Sequence, residues 1–312
     1  MARSTSSPVA MPGVTSSAPG RPLVVNLLIS MRPGQWTKNL LVFAGVLFGK
    51  RLLEAEAIGA SLVAFLVFCA LSSTVYLLND IADRDSDRNH PLKAQRPVAS
   101  GALPIGVAAA AAAAIGIAAL AAATMLGWPF TAAAVGYVAL QALYSGPLKH
   151  IVIIDVLTLA MGFVIRAVAG ALAVRVDISH WLLVCTVLLA LFIALAKRRH
   201  ELVLLAGDAP THRPILGEYS PYLLDQMIAV VTASTLIAYI FYTVSPETQE
   251  KFGTPWLGLT IPFPLYGIFR YLYLVHRREG GGSPSDLLLT DRPLLVCVAL
   301  WAAAVALIIY RP

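Results

Sequence analysis

The sequence predicts an all-α membrane protein. Of its 312 residues, 58% are hydrophobic and only 13% charged, and the mean hydropathy is +0.75. A soluble domain carries roughly 25% charged residues. Apolar stretches of membrane-spanning length recur along the chain, and the basic residues divide unevenly between the segments joining them. These observations exclude a soluble enzyme. The net charge of +6 is explained by loop bias, and no nucleic-acid-binding motif is present.

A span needs ~20 mainly apolar residues to cross the hydrocarbon core. Nine segments qualify: 24–49, 57–80, 102–126, 128–147, 151–174, 180–197, 222–244, 255–275 and 292–310. The first contains Arg32, Pro33, Gln35, Lys38 and Asn39. Because 39–49 alone is too short to span, a kinked helix with its polar part in a cavity is expected. The second runs unbroken to Asn79. The third includes the Ala-rich stretch 107–123, whose small side chains suit close helix packing. Pro147, Pro255, Pro262 and Pro264 blur the bounds of the fourth, fifth and eighth. The sixth ends in a basic run, and the seventh and ninth are plainly apolar. Residues 1–22, rich in Ser, Pro, Ala and Gly without an apolar core, read as a disordered tail rather than a signal peptide. Residues 23–312 read as one transmembrane domain. Cys69, Cys185 and Cys297 lie in apolar sequence and read as small core residues.

Lysine and arginine concentrate in cytoplasmic loops. With the N-terminus inside, 17 of the 23 fall in inner segments and five in outer ones. The expected orientation is N-terminus in and C-terminus out, in the inner (plasma) membrane.

Residues 79–87, Asn-Asp-Ile-Ala-Asp-Arg-Asp-Ser-Asp, stand where the second span ends. Asn79, Asp83 and Asp87 are four apart and stack on one helical face, with Asp80 at its edge. Mg²⁺ favours one or two carboxylates together with water and phosphate oxygens, so this is a candidate metal–diphosphate site. Other polar groups gather on the same side. Lys38 and Asn39 follow a polar face built on Arg32. Lys93 and Arg96, just past the acids, are placed to clamp phosphate oxygens. Lys149 sits in the turn after the fourth span. Asp155 and Arg166, three turns apart on the fifth, are expected to face a wet cavity rather than each other. Lys197, Arg198 and Glu201 close the sixth. No Walker A sequence, zinc spacing or Ser-His-Asp set is present, and the glycines at 280–282 lack a following phosphate-binding helix.

Asn-Asp-x-x-Asp-x-x-x-Asp at the end of span two, Arg96-Pro-Val-Ala-Ser-Gly101 and Tyr144 to Lys149 resemble the UbiA superfamily of intramembrane prenyltransferases, over roughly residues 28–310. The resemblance implies a bundle of nine transmembrane helices around a central cavity with a cytoplasmic polar cap. Typical members carry a second Asp-rich motif after span six, where this chain has Lys197-Arg198-Arg199-His200-Glu201. Replacing carboxylates with cations suits a substrate bearing an additional phosphate. Arg32-Pro-x-Gln-Trp-x-Lys-Asn39, Asp87-Arg-x-His90-Pro-x-Lys93, Leu148-Lys149-His150 and Lys197-Arg198-x-x-Glu201 look like the decaprenyl-phosphate phosphoribosyltransferase branch, of actinobacterial arabinan cell-wall biosynthesis.

That resemblance implies transfer of 5-phosphoribose from phosphoribosyl diphosphate (PRPP) to a long polyprenyl phosphate, with Mg²⁺ on Asn79, Asp80, Asp83 and Asp87. Lys93, Arg96 and Lys149 would offset pyrophosphate charge, with Arg84, Tyr144 and Arg166 as further substrate contacts. Lys197 and Arg198 would hold the ribose 5-phosphate beside Glu201. Lys38 and Asn39 would take the acceptor phosphate, and Asp87 or Asp155 would steady the cationic ring. The expected partners are the two substrates and the lipid bilayer, with no nucleic acid and a homo-oligomer left open. The alternatives are ordinary prenyl transfer to an aromatic or lipid acceptor, and transport of a phosphorylated lipid.

Overall fold

The computed structural model describes residues 21–89, 93–204, 214–277, 287 and 290–310. The N-terminal segment through residue 20, His90 and its two successors, residues 205–213 and the glycines at 280–282 lie outside these. Among the described residues the structure is helical throughout, without a strand.

Chain order gives α1 (Leu23–Met31), a 3-10 helix (Pro33–Phe43), α2 (Ala44–Phe48), α3 (Ala55–Ala82), α4 (Arg84–Arg88), α5 (Pro97–Ser100), α6 (Ile105–Thr124) and α7 (Trp128–Ser145). It continues with α8 (Ile154–Ala173), α9 (His180–Leu204), α10 (Pro221–Val244), α11 (Pro246–Phe252), α12 (Pro262–Arg277) and α13 (Arg292–Tyr310). Six of these, α3, α6, α8, α9, α10 and α13, are long and apolar enough to cross a membrane, so the protein is a multi-pass membrane protein. The other three predicted spans are also helical. α7 carries Thr131, Gln141 and Ser145, α12 has 16 residues, and the first span is broken.

The break falls at Arg32, which takes a left-handed backbone (φ 54°) and ends α1. Pro33 then opens an 11-residue 3-10 helix. Side chains three apart eclipse on such a helix, so Asn39 and Val42 form one buried row, which Gly45 continues on α2. That row lies against α8. A Cβ on Gly170 would come within 1.9 Å of the Val42 carbonyl oxygen, and one on Gly45 within 2.5 Å of the Gly170 carbonyl carbon. Only glycine permits this approach.

The core has two main parts. In the first, α3, α7 and α8 pack around Phe68, whose ring lies edge-on to Phe130 at 6.0 Å and tilted to Tyr137 at 5.3 Å. α6 lies along α3, with its Gly116 against Thr74. In the second, α9, α10 and α12 bury Phe192, Leu224 and Tyr271 together with Tyr219 and Val156. Ser220 caps α10 by accepting a hydrogen bond from the Leu223 amide at 3.1 Å, and Pro221 occupies the first helical position. Both are strong start signals.

Candidate active site

The acidic motif keeps its helical spacing. The Asp83 amide donates to the Asn79 carbonyl at 2.8 Å, and the Asp87 amide donates to the Asp83 carbonyl at 2.8 Å. α3 itself ends at Ala82, and Asp83 is the junction with α4. A helix C-terminus is the negative end of the dipole, unfavourable for carboxylates. Arginines offset it. Arg32 Nη2 lies 2.5 Å from Asp80 Oδ1 and its guanidinium stacks 4.8 Å above the Tyr76 ring. Arg96 Nη1 bridges Asp80 at 3.4 Å and Asp87 at 2.6 Å, with Lys93 4.0 Å from Asp87. Asp80 and Asp87 are buried, whereas Asp83 is exposed and makes no side-chain bond among the described residues. Arg84 is half-buried, and its Nε has no hydrogen-bond partner among the described residues.

The basic half is built on one buried carboxylate. Asp155, fully buried in the first turn of α8, accepts from Arg198 Nε at 2.9 Å and from the Tyr219 hydroxyl at 2.8 Å. Arg198, itself 1% exposed, also donates to Glu201 at 2.8 Å and to the Tyr144 hydroxyl at 3.1 Å. Lys197 stands on the more open side of the same helix, 3.7 Å from Glu201. Burial is the main cause that pushes the Tyr219 hydroxyl up to about 12, and its bond to the Asp155 carboxylate acts in the same direction. It therefore remains a hydrogen-bond donor at any physiological pH.

Two adjacent residues at the end of α7 join the halves. Ser145 donates to Asn79 Oδ1 at 2.8 Å, while Tyr144 accepts from Arg198. Lys149 follows in the 3-10 turn Leu148–His150, half-buried, with no ion pair or hydrogen bond to its ammonium among the described residues.

Deeper in the bundle, Arg166 Nε donates to Asn39 Oδ1 at 2.7 Å. Its other nitrogens reach the Gly162 carbonyl at 2.7 Å and the Tyr137 hydroxyl at 2.9 Å. The Tyr137 and Phe163 rings add cation–π contacts at 4.7 and 5.5 Å. The expectation that Asp155 and Arg166 face a wet cavity is corrected here. Both are buried, because each has polar protein partners on neighbouring segments: Arg198 and Tyr219 for Asp155, Asn39 and Tyr137 for Arg166. Asn39 is likewise fully buried, with Cys69 and Ser72 accepting from its amide. Lys38 is half-buried.

Sequence alone assigns no role to Arg32, Ser145 or Tyr219. Arg32 belonged to a visible polar run and Ser145 to a visible motif. Tyr219 carried no signal beyond preceding Ser-Pro.

Among the described residues no three carboxylate, histidine or cysteine side chains converge as a ready metal cage. Asp83, which is exposed, together with buried Asp87 and the Asn79 amide oxygen, nevertheless supplies the hard donors that Mg²⁺ takes when phosphate oxygens complete its shell. The donor set fits such an ion.

Residues 40–290 match the UbiA prenyltransferase family. A decaprenyl-phosphate phosphoribosyltransferase of Corynebacterium glutamicum is 31% identical over 303 residues, covering 94% of this chain and 89% of that protein. One from Mycolicibacterium smegmatis is 32% identical over 312 residues, covering 95% and 96%. Among solved structures, a UbiA homologue from Archaeoglobus fulgidus bound to GPP and Mg²⁺ superposes with a TM-score of 0.71 at 20% identity, covering 91% of this chain and 99% of its own. The motif at 79–87, the helical bundle and these matches agree: the chain belongs to the UbiA prenyltransferase family.

Proposed function

We propose that the protein transfers 5-phosphoribose from PRPP to a long polyprenyl phosphate, decaprenyl phosphate in the relatives' naming, and releases diphosphate. The observation that carries this reading is the pairing, at one end of the bundle, of a single acidic motif with a basic half where a second acidic motif would otherwise stand. Similarity to the named phosphoribosyltransferases supports it.

Asp83, Asp87 and Asn79, with Asp80 beside them, would hold Mg²⁺, which when bound supplies Lewis-acid neutralisation of a diphosphate leaving group. Lys93, Arg96, Arg84 and Lys149 would balance the remaining pyrophosphate charge. Lys197 would face the ribose 5-phosphate. Arg198, buried between Asp155, Glu201 and Tyr144, would order that face from behind. Lys38 would take the acceptor phosphate, with Asn39 and Arg166 supporting its segment. The C1–oxygen bond to diphosphate breaks as an acceptor phosphate oxygen bonds to C1 from the opposite side. A phosphate monoester is already anionic near neutral pH, its second pKa being about 6, so no general base is required. Catalysis rests on positioning and on stabilising the departing charge.

The same reading places nine helices around a cavity, with a polar cap and site facing the cytoplasm of the inner membrane. The distribution of lysine and arginine supports this orientation. The product would serve arabinan cell-wall synthesis. The test is incubation of purified protein with labelled PRPP, Mg²⁺ and decaprenyl phosphate, or with a prenyl diphosphate and an aromatic acid. Label entering lipid only with decaprenyl phosphate, and lost with EDTA, supports phosphoribosyl transfer. A prenylated aromatic product would replace it with the alternative.

A further inference from the structure

The geometry points to Tyr219 as a positioning residue that holds the turn carrying Lys149 at the donor end of the site. The inference rests on the phosphoribosyl-transfer reading, and it assigns a role to a side chain that contacts no substrate in that scheme.

Ile153, immediately before α8, has φ 69° and ψ −43°. A β-branched residue with positive φ is a true conformational outlier, and such residues persist only where their surroundings over-determine them. Side-chain packing does not hold it, since Ile153 is 47% exposed. Its backbone is what is gripped. The Ile153 amide donates to the Tyr219 hydroxyl at 2.8 Å, and the same hydroxyl donates to Asp155 Oδ1 at 2.8 Å. The other Asp155 oxygen is held by Arg198. One hydroxyl thus ties the strained turn to the buried ion pair of the basic half.

Tyr219 is firmly placed. It lies just before the Ser220 cap, and its ring is buried in the same cluster as Leu224. That is the spacing of a hydrophobic staple, which fixes the angle at which the chain enters a helix. The clamp reaches Lys149 through short backbone links. Asp155 N–H bonds the Ile151 carbonyl at 3.0 Å, and Ile151 N–H bonds the Leu148 carbonyl at 3.3 Å. Releasing Ile153 frees the segment whose cation, among the described residues, is aimed by its backbone.

The test is Tyr219→Phe, which keeps the ring and removes the hydroxyl. The KM for PRPP should rise about tenfold, as misplacing a contact group by about an ångström costs tenfold or more. The KM for polyprenyl phosphate should stay unchanged, with normal gel filtration. Adding Ile153→Gly should restore the PRPP KM, because glycine adopts positive φ without strain. An unchanged PRPP KM, equal loss for both substrates, or no rescue would overturn the inference. If the wild-type protein transfers no phosphoribose, the functional reading falls separately, and amine labelling of Lys149 then decides the clamp. Faster labelling in Tyr219→Phe supports it, and an unchanged rate overturns it.

Discussion

Arg166 on α8 donates through Nε to Asn39 Oδ1 on the 3-10 helix at 2.7 Å, joining residues 127 positions apart. The contact exists because both elements repeat in step. Asn39 and Val42 are three apart on the 3-10 helix, and Arg166 and Gly170 are four apart on α8. The Val42–Gly170 approach therefore brings Asn39 and Arg166 level with each other.

Gly170→Ala tests that register. The new methyl would meet the Val42 carbonyl oxygen at 1.9 Å, a backbone atom that cannot rotate away. Overpacking typically costs about 1–3 kcal/mol, and the upper end is expected here. Thermal unfolding in detergent should show a clear drop in Tm, whereas Gly136→Ala, with open space around its Cβ, should show almost none.

Asn39→Ala should destabilise the protein by about 1.5–3 kcal/mol, the range for a hydrogen bond to a charged group, because it strips an acceptor from a buried guanidinium. Arg166→Met removes the cation that needs that acceptor. Melting of the two single variants and the double variant should therefore be strongly non-additive, and additive losses would refute the coupling.

Asp83 and Asp87 should separate by stability rather than by turnover. Both Asp83→Ala and Asp87→Ala are expected to abolish activity. Asp83 is exposed, so its loss should leave stability within about 0.5 kcal/mol of wild type. Asp87→Ala removes the 2.6 Å partner of Arg96 and should lower Tm as well. Near-normal turnover in either variant would remove the acidic motif from the chemistry.

In the basic half, Lys197→Ala should raise the PRPP KM with the fold intact. Arg198→Ala should instead cost about 3–5 kcal/mol, the penalty for leaving one partner of a buried ion pair alone, since Asp155 is fully buried. Detergent gel filtration with PRPP kinetics distinguishes the two. An Arg198→Ala protein as stable as wild type would overturn the buried-pair assignment.

Alkaline pH gives a further check through Tyr219. Its folded-state pKa of about 12 lies above the ordinary tyrosine value of about 10, so the folded protein holds this proton more tightly than the unfolded chain. The resulting stability is fully present below about pH 10 and is lost as pH rises through about 12. The stability difference between wild type and Tyr219→Phe should be constant at neutral pH and shrink over that alkaline window.

Much of this was legible in the chain. The acidic motif could be read because its period of four is local, and the structure preserves it through backbone bonds from 79 to 87. The break in the first span can be read from Arg32-Pro33, but its three-residue repeat cannot, since a short sequence pattern does not tell a 3-10 repeat of 3.0 from an α repeat of 3.6. Arg198 read as part of a substrate-facing basic run. Only the position of Asp155 on a neighbouring helix explains why it is buried. Tyr219 was illegible because both of its partners, Ile153 and Asp155, lie more than sixty positions away.

The buried guanidinium of Arg166 also bears on how the chain is made. An arginine at mid-segment costs an inserting helix about 2.5–3.5 kcal/mol, and α8 on its own offers it little beyond the Gly162 carbonyl and the Phe163 ring. Its remaining partners, Asn39 and Tyr137, are synthesised earlier. Translation from the N-terminus therefore delivers the acceptors to the bilayer before the cation arrives, so the order of residues along the polypeptide doubles as an order of assembly.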